Sequence, residues 1–112
     1  MSEPTTNSAR ADSPGDNPII NVEALDKATL ILRALNHELR QQIIQLLCDE
    51  GSLNVTDIFV NLRVEQSVAS QHLAILRKAD IVVRERKGKF IHYDIDRTNL
   101  HRINDLVSRL AA

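Results

Sequence analysis

Residues 66–95 read QSVASQHLAILRKADIVVRERKGKFIHYDI, and their pattern is the main indication of the fold class. Its first part, from about Gln66 to Ala79, has the 3.6-residue periodicity of an amphipathic helix. Its second part contains two β-rich runs joined by Gly88 and Lys89, a two-residue connection typical of a β-hairpin. The stretch therefore predicts a helix that is followed at once by a hairpin.

Steps of 100° per residue divide the helix 66–79 into two halves. The apolar half holds Val68, Ala69, Leu73, Ile75, Leu76 and Ala79. The polar and basic half holds Gln66, Ser67, Ser70, Gln71, Ala74, Arg77 and Lys78. The major groove of DNA admits one α-helix, and short polar or amide side chains can donate to and accept from base edges there. We therefore expect this helix to read bases through Gln66, Ser67, Ser70 and Gln71.

The net charge of the chain is −1, but the charge is distributed unevenly. Segment 1–62 carries −5, segment 63–89 carries +4, and segment 90–112 is neutral. The positive segment coincides with the predicted helix and hairpin, so two unrelated signals indicate one surface. Double-stranded DNA is the expected partner, because basic side chains neutralise phosphates. The predicted phosphate contacts are Arg77, Lys78, Arg86, Lys87 and Lys89.

Apolar residues at helical spacing predict three helices before residue 66 and one helix after the hairpin. The first helix is capped by Asn21, the second follows Asn36 and stops at Gly51, and the third is capped by Asn54. This order predicts a mainly α fold with a β-hairpin wing, the winged helix-turn-helix. Segment 1–18 has no Leu, Ile, Val or aromatic residue and is expected to be a flexible tail, which leaves 19–112 as one domain.

The first and last helices carry more apolar surface than one small core can use. Such a surplus indicates contact with a second copy of the chain, and therefore a homodimer. The side chains predicted to form the interface are Leu25, Leu32, Leu100, Ile103, Val107 and Leu110.

Length and composition exclude several classes of protein. The chain has 112 residues and one Cys, which cannot form an internal disulfide or a four-ligand zinc site. Its apolar runs are shorter than the roughly 18 residues of a membrane span, so we expect a cytoplasmic protein without a membrane partner. The sequence lacks a Gly-rich phosphate loop and a plausible pair of catalytic carboxylates, which predicts no enzyme activity and no cofactor.

Three segments resemble the ArsR/SmtB family of bacterial winged-helix repressors. They are HELRQQIIQLL at 37–47, VTDI at 55–58 and QSVASQHLAILRKADIV at 66–82. The resemblance extends from about Val22 to the C-terminus. It implies a dimer built from the first and last helices, with two recognition helices in successive major grooves. It also implies repression through an imperfect inverted repeat in a promoter.

The sequence departs from that family at the positions where its metal sensors bind their inducers. Asn54 and Thr56 stand where arsenic- and cadmium-sensing members have Cys, and neither is a good ligand for a thiophilic metal. Arg97, Asn99 and Leu110 stand where zinc sensors have Asp and His. The expectation is therefore no metal site and an inducer of unknown chemistry.

Two single residues leave alternatives open. His72 falls on the apolar arc of the reading helix, and a packed ring with a local hydrogen bond is expected there rather than a ligand. Cys48 is expected to be a small buried hydrophobe, the alternative being a redox-responsive regulator that acts through its thiol. A further alternative for the whole chain is a protein-interaction module that has lost DNA binding, because the base-reading side chains are few.

Overall fold

The computed structural model of the chain describes residues 19–112. The predicted tail, 1–18, lies outside the described residues. Between 19 and 112 the elements are α1 (Val22–Leu35), α2 (Glu38–Glu50), β1 (Leu53–Asn54), α3 (Val55–Leu62), α4 (Gln66–Lys78), β2 (Val82–Lys87), β3 (Phe90–Ile95) and α5 (Arg97–Ala111). The predicted order of helices and hairpin is confirmed. In this range no helix is both long enough and apolar enough to cross a bilayer.

Side-chain caps define where four of the helices begin. The Oδ1 atom of Asn21 accepts a hydrogen bond from the Ala24 N–H at 3.0 Å, and that of Asn54 accepts from the Asp57 N–H at 2.8 Å. Both predicted caps are therefore confirmed. Asp96 caps α5 in the same way. The cap of α2 is a histidine, since His37 Nδ1 accepts from the Leu39 N–H at 3.1 Å.

Positive-φ residues lie at or just after the C-terminal ends of α2 and α4. Gly51 ends α2, as predicted, with φ 83° and ψ −151°, a region that is essentially restricted to glycine. Helix α4 ends at Lys78, one residue earlier than expected, and Asp80 follows with φ 61°. Asp tolerates this left-handed conformation better than most side chains, so the chain turns into the wing without a glycine.

The hairpin belongs to a three-stranded antiparallel sheet in the order β1-β3-β2. Strands β2 and β3 pair in register from Val82 opposite Ile95 to Lys87 opposite Phe90, with Gly88 at φ 65° in the turn. Strand β1 pairs with β3 through Leu53 opposite Tyr93. The sequence did not predict β1, because two residues are too few to show an alternating pattern.

The core lies between α2, α3, α4 and the base of the hairpin. Its largest fully buried side chains are Ile43, Leu47, Ile58, Leu73, Leu76, Ile81 and Val82. The buried side of α4 and the first residue of β2, Val82, both pack in this core. The core therefore fixes the orientation of the reading helix and of the wing. α5 contributes Ile103 to this core, while much of its length remains exposed.

Candidate nucleic-acid interface

Helices α3 and α4 form a helix-turn-helix. Arg63 ends α3 in the left-handed conformation, with φ 58°, and the Val64 N–H donates to the Phe59 carbonyl at 3.1 Å. The tight turn lets α4 pack back on α3 and bury Ala69, Leu73 and Leu76. Because these residues lie on one side of α4, the opposite side is turned away from the protein.

The outermost line of α4 consists of Ser67, Gln71, Ala74 and Lys78, all of them exposed, and we call it the outward stripe. The spacing i, i+4, i+7, i+11 aligns these residues along the helix axis. Gln66, Ser70 and Arg77 are also exposed and flank the stripe on one side. All four predicted base-reading residues are therefore accessible, with Ser67 and Gln71 in the most prominent positions.

Ile75 departs from the prediction. The sequence placed it on the apolar half of α4, but 40% of the residue is exposed. The buried side is centred on Ala69, Leu73 and Leu76, and Ile75 is rotated well away from these three residues. The predicted apolar arc was too wide, and the reading surface has an apolar edge.

Both ends of α4 have features that favour contact with phosphates. Glu65 occupies the N-cap but makes no side-chain capping hydrogen bond. The first-turn N–H groups therefore lack a side-chain acceptor of the kind that an anion supplies at helix N-termini. Arg77 and Lys78 lie in the last turn, where cations also interact favourably with the helix dipole.

The wing divides its basic residues between two faces. Side chains alternate along a strand, so Arg84 and Arg86 share the face of the buried Val82, whereas Lys87 lies on the opposite face. Lys87 Nζ is 3.9 Å from Glu85 Oε1 on that face, a weak exposed pair. Lys89 lies in the turn. The sequence selected Arg86, Lys87 and Lys89 together and omitted Arg84, which the two-residue period would have grouped with Arg86.

The outer helices enclose an apolar groove of about 430 Å³ between α1 and α5. The two most exposed of the predicted interface residues are Leu25 and Leu110, the latter with 78% exposed, and Leu32 lines the groove. Leu100 and Val107 are half-buried against the core. Leu106 was not selected from the sequence, although it is exposed and lines the groove.

Ile103 is a correction to the predicted interface. Only 4% of it is exposed, because α5 turns this residue inward onto the protomer core. Its side chain is not available to a partner. Ile103 instead fixes the rotation of α5, which leaves Leu106 and Leu110 pointing outward.

Arg97 and Asn99 occupy α5 positions where zinc sensors of the ArsR/SmtB family bind metal. Here their side chains hold α5 against the rest of the protomer. Arg97 Nη2 donates to the Cys48 carbonyl at 3.2 Å, and Asn99 Nδ2 donates to the Asp80 carbonyl at 2.6 Å. Within 19–112 there is no group of three or more His, Cys, Asp or Glu residues that could hold a metal ion. Cys48 is half-buried against the core.

His72 is half-buried, as the apolar arc indicated, but its hydrogen bond is not local. Its Nδ1 atom lies 3.0 Å from Nη1 of Arg40, which is 32 positions earlier in the chain. Arg40 has only 9% exposed and is the one charged residue buried among the described residues. The sequence did not reveal it, because an arginine beside the polar Gln41 and Gln42 on α2 looks like a solvated side chain.

A helix-turn-helix with an exposed polar stripe, followed by a basic hairpin, defines a winged helix-turn-helix domain. Comparison with known proteins agrees. The family profile described as "Bacterial regulatory protein, arsR family" matches residues 37–83. The chain is 33% identical to the transcriptional activator HlyU of Vibrio cholerae, over 75% of this chain and 77% of that one. It is 35% identical to the arsenical resistance operon repressor of Bacillus subtilis, over 77% and 79% of the two chains.

Solved structures show the same architecture. A homodimeric winged helix-turn-helix DNA-binding domain from Mycobacterium bovis superposes with a TM-score of 0.71 and 26% identity, covering 86% of this chain and 88% of that one. The chain belongs to the ArsR family of bacterial regulatory proteins and is a transcriptional regulator with a winged-helix DNA-binding fold.

Proposed function

We propose that this protein is a homodimeric repressor that binds an imperfect inverted repeat in promoter DNA. The observation that carries the proposal is the juxtaposition of the outward stripe of α4 with the basic hairpin, inside the segment of charge +4. The reading helix enters the major groove, and the wing contacts the backbone or the minor groove beside it.

The residues of α4 divide into two roles. Ser67 and Gln71 on the outward stripe, with Gln66 and Ser70 beside them, contact base edges. Arg77 and Lys78 contact phosphates, because they lie at the end of the helix and carry charge on flexible stems. The exposed edge at Ile75 offers an apolar surface to a thymine methyl group, the contact that apolar side chains make in the major groove.

The wing supplies further phosphate contacts. Arg86, Lys87 and Lys89 keep their predicted role, and Arg84 joins them because it shares the face of Arg86. The hairpin carries basic side chains on both faces and at its tip. It can therefore contact a DNA backbone without requiring one fixed orientation of any single side chain.

Dimerisation uses the apolar surface of the outer helices. Leu25, Leu32, Leu106 and Leu110 are exposed on α1 and α5, and the groove between these helices is lined mainly by apolar atoms. A second copy related by a two-fold axis covers this surface and places two reading helices one DNA turn apart, about 34 Å. Repression follows when the dimer occupies a promoter.

A fluorescence-anisotropy titration tests the proposal. The full chain is titrated with the DNA upstream of its own gene and with a shuffled duplex of equal length, each at two salt concentrations. The expected result is tighter binding of the upstream DNA and a steep loss of affinity with salt. Equal, weak binding of both duplexes would contradict the proposal and favour a protein-interaction module.

The enzyme and redox alternatives have less support. The residues of the outward stripe are not a catalytic set, and regulators make up the family. Cys48 is the sole cysteine in the sequence, so a thiol switch within one chain has no resolving partner. Retention of DNA binding after peroxide treatment, in the wild type and in Cys48→Ser alike, is the expected result.

A further inference from the structure

Arg40 is bound to the C-terminal end of α1 by two short hydrogen bonds. Its Nε atom donates to the Ala34 carbonyl and its Nη2 atom to the Arg33 carbonyl, each at 2.7 Å. These carbonyls belong to the last turn of α1, where they have no partner within the helix and carry partial negative charge. The guanidinium of α2 therefore acts as a cap for α1.

The remaining branch of the same guanidinium is directed at the reading helix. Nη1 lies 3.0 Å from Nδ1 of His72 on α4. Arginine has only donors, so Nδ1 must be the acceptor and the proton of the neutral ring must be on Nε2. The guanidinium is a planar fork whose other two contacts are already fixed, so the direction of this third bond is fixed as well.

The surroundings of His72 oppose its protonation. Burial lowers the pKa of His72 below the ordinary value of 6.5, and the adjacent His37 ring and Arg40 guanidinium lower it further. The centroids of the His37 and His72 rings are 4.7 Å apart. His37, in the turn before α2, and Arg40, on α2, are the ionisable neighbours that lower the pKa of His72. A proton on Nδ1 would directly oppose the Arg40 N–H.

We propose that Arg40 and His72 form a latch that holds the reading helix at a fixed angle to the dimer-forming helix α1. The two residues are positioning residues for DNA recognition, and neither contacts DNA. The inference rests on the proposed function, because a fixed angle matters only if two reading helices must match two half-sites at once.

The latch is well placed for this task. α1 carries exposed Leu25 and Leu32 for the partner, whereas α4 carries Ser67 and Gln71 for the bases. Arg40 touches both helices through side-chain hydrogen bonds, and apolar contacts alone would permit small rotations. Loss of the third hydrogen bond leaves a buried N–H unpaired, and α4 can then rotate relative to α1.

Two substitutions of His72 separate the positioning role from a purely structural one. His72→Asn keeps an acceptor close to the position of Nδ1 but cannot be protonated. His72→Leu keeps the bulk and removes the acceptor. His101→Asn, on the exposed side of α5, is the matched control, because it makes the same substitution at a histidine that lies outside the latch.

Operator affinity of the folded, dimeric variants is measured at about pH 7.5 and at the acidic pH where the imidazole NMR signal of the wild type shows His72 to be protonated. At the higher pH we expect His72→Asn and His101→Asn to bind like the wild type, and His72→Leu to bind roughly tenfold more weakly. At the lower pH the wild type should lose affinity relative to His72→Asn. Effects of pH on the rest of the protein and on the DNA act on both proteins and cancel in this ratio.

A nitrogen-15 NMR spectrum of the imidazole groups supplies a second measurement that does not need the Leu variant to fold. We expect the neutral His72 ring to carry its proton on Nε2. A proton on Nδ1, or a folded His72→Leu dimer with wild-type affinity, or identical pH profiles for the wild type and His72→Asn would each overturn the latch. Failure of the wild type to bind any DNA would instead overturn the proposed function, while the NMR result would still decide the Arg40–His72 bond.

Discussion

The reading helix α4 and the outer helices α1 and α5 expose opposite kinds of surface. α4 buries Ala69, Leu73 and Leu76 in the core. It exposes Ser67, Gln71 and Lys78. The outer helices expose apolar residues such as Leu25 and Leu110, and their polar residues do not cover the groove between them. The first pattern suits a polar, charged partner and the second suits an apolar one, which is what the proposed function requires of the surfaces for DNA and for a second copy of the chain.

The largest effect is expected from a charge placed on the apolar surface of the outer helices, because it should disrupt the dimer. Leu110→Glu adds a carboxylate where 78% of the side chain is exposed in the protomer, so the protomer should fold normally. Burial of that charge in an apolar interface costs about 3 kcal/mol or more, which raises the dimer dissociation constant by roughly a hundredfold. Operator affinity should fall with it.

Analytical ultracentrifugation and anisotropy on the same samples check this prediction. Ser108→Glu, on the opposite side of α5, is the matched control and should leave both dimerisation and DNA binding unchanged. A Leu110→Glu protein that stays dimeric would show that the outer groove is not the interface.

Removal of the wing charges tests the DNA side of the comparison. The triple substitution of Arg86, Lys87 and Lys89 by Ala should lower operator affinity by roughly a hundredfold at moderate salt. Each lost phosphate contact also reduces the salt slope by about one. Arg109→Ala, which removes a charge from α5, should leave the slope unchanged. An unchanged slope in the triple variant would show that the wing does not contact DNA.

A smaller effect should distinguish the base-contacting residues of α4 from its phosphate-contacting residues. Gln71→Ala should cost about 1–3 kcal/mol for the preferred bases and little for others, because a base contact carries sequence information. Lys78→Ala should weaken binding to every sequence alike. Affinities for a panel of single-base operator variants measure both. A uniform loss for Gln71→Ala would make that side chain a positioning contact.

The latch has a consequence for stability that does not require DNA. Because the pKa of His72 is lowered in the folded state, the unfolded chain binds more protons just below pH 6.5. The free energy of unfolding should therefore fall as the pH drops below about 6.5 and be independent of this group at higher pH. Denaturant titrations of the wild type and His72→Asn measure the difference. Parallel curves would show that His72 does not contribute.

The smallest effect concerns the junction between the reading helix and the wing. Asp80 is left-handed, with φ 61°, so Asp80→Gly should relieve strain and raise stability by about 0.5–1 kcal/mol. The hydrogen bond from Asn99 goes to the backbone carbonyl and is retained. Thermal unfolding measures the gain. A loss of stability would indicate that the Asp80 side chain has a role of its own.

Much of the fold and part of the interface could be predicted from the sequence. The helix 66–79 and its hairpin show clear periodicities and coincide with the charge block, so their existence and exposed residues were predictable. The predicted apolar half of α4 wrongly included Ile75. An isoleucine at the boundary of a helix face adds to the apolar pattern whether its side chain is buried or exposed. Ile103 was assigned to the interface because an apolar stripe does not indicate which of its members the protomer itself buries.

The Arg40–His72 bond could not be predicted for a different reason. It joins residues 32 positions apart through three-dimensional packing, and each looks ordinary in its own helix. Strand β1 was missed because its partner, β3, lies far away in the chain. Local patterns identify elements and their exposed faces, whereas long-range polar contacts depend on how those elements pack.

Selection of bound duplexes from a random pool by the purified full chain tests whether a symmetric dimer reads DNA through α4. If two reading helices are presented by a symmetric dimer, the enriched sequences should form an inverted repeat whose half-sites are about 10 base pairs apart. Enrichment of a single half-site without a symmetric mate, or no enrichment at all, would contradict the account of a dimeric regulator that reads DNA through α4.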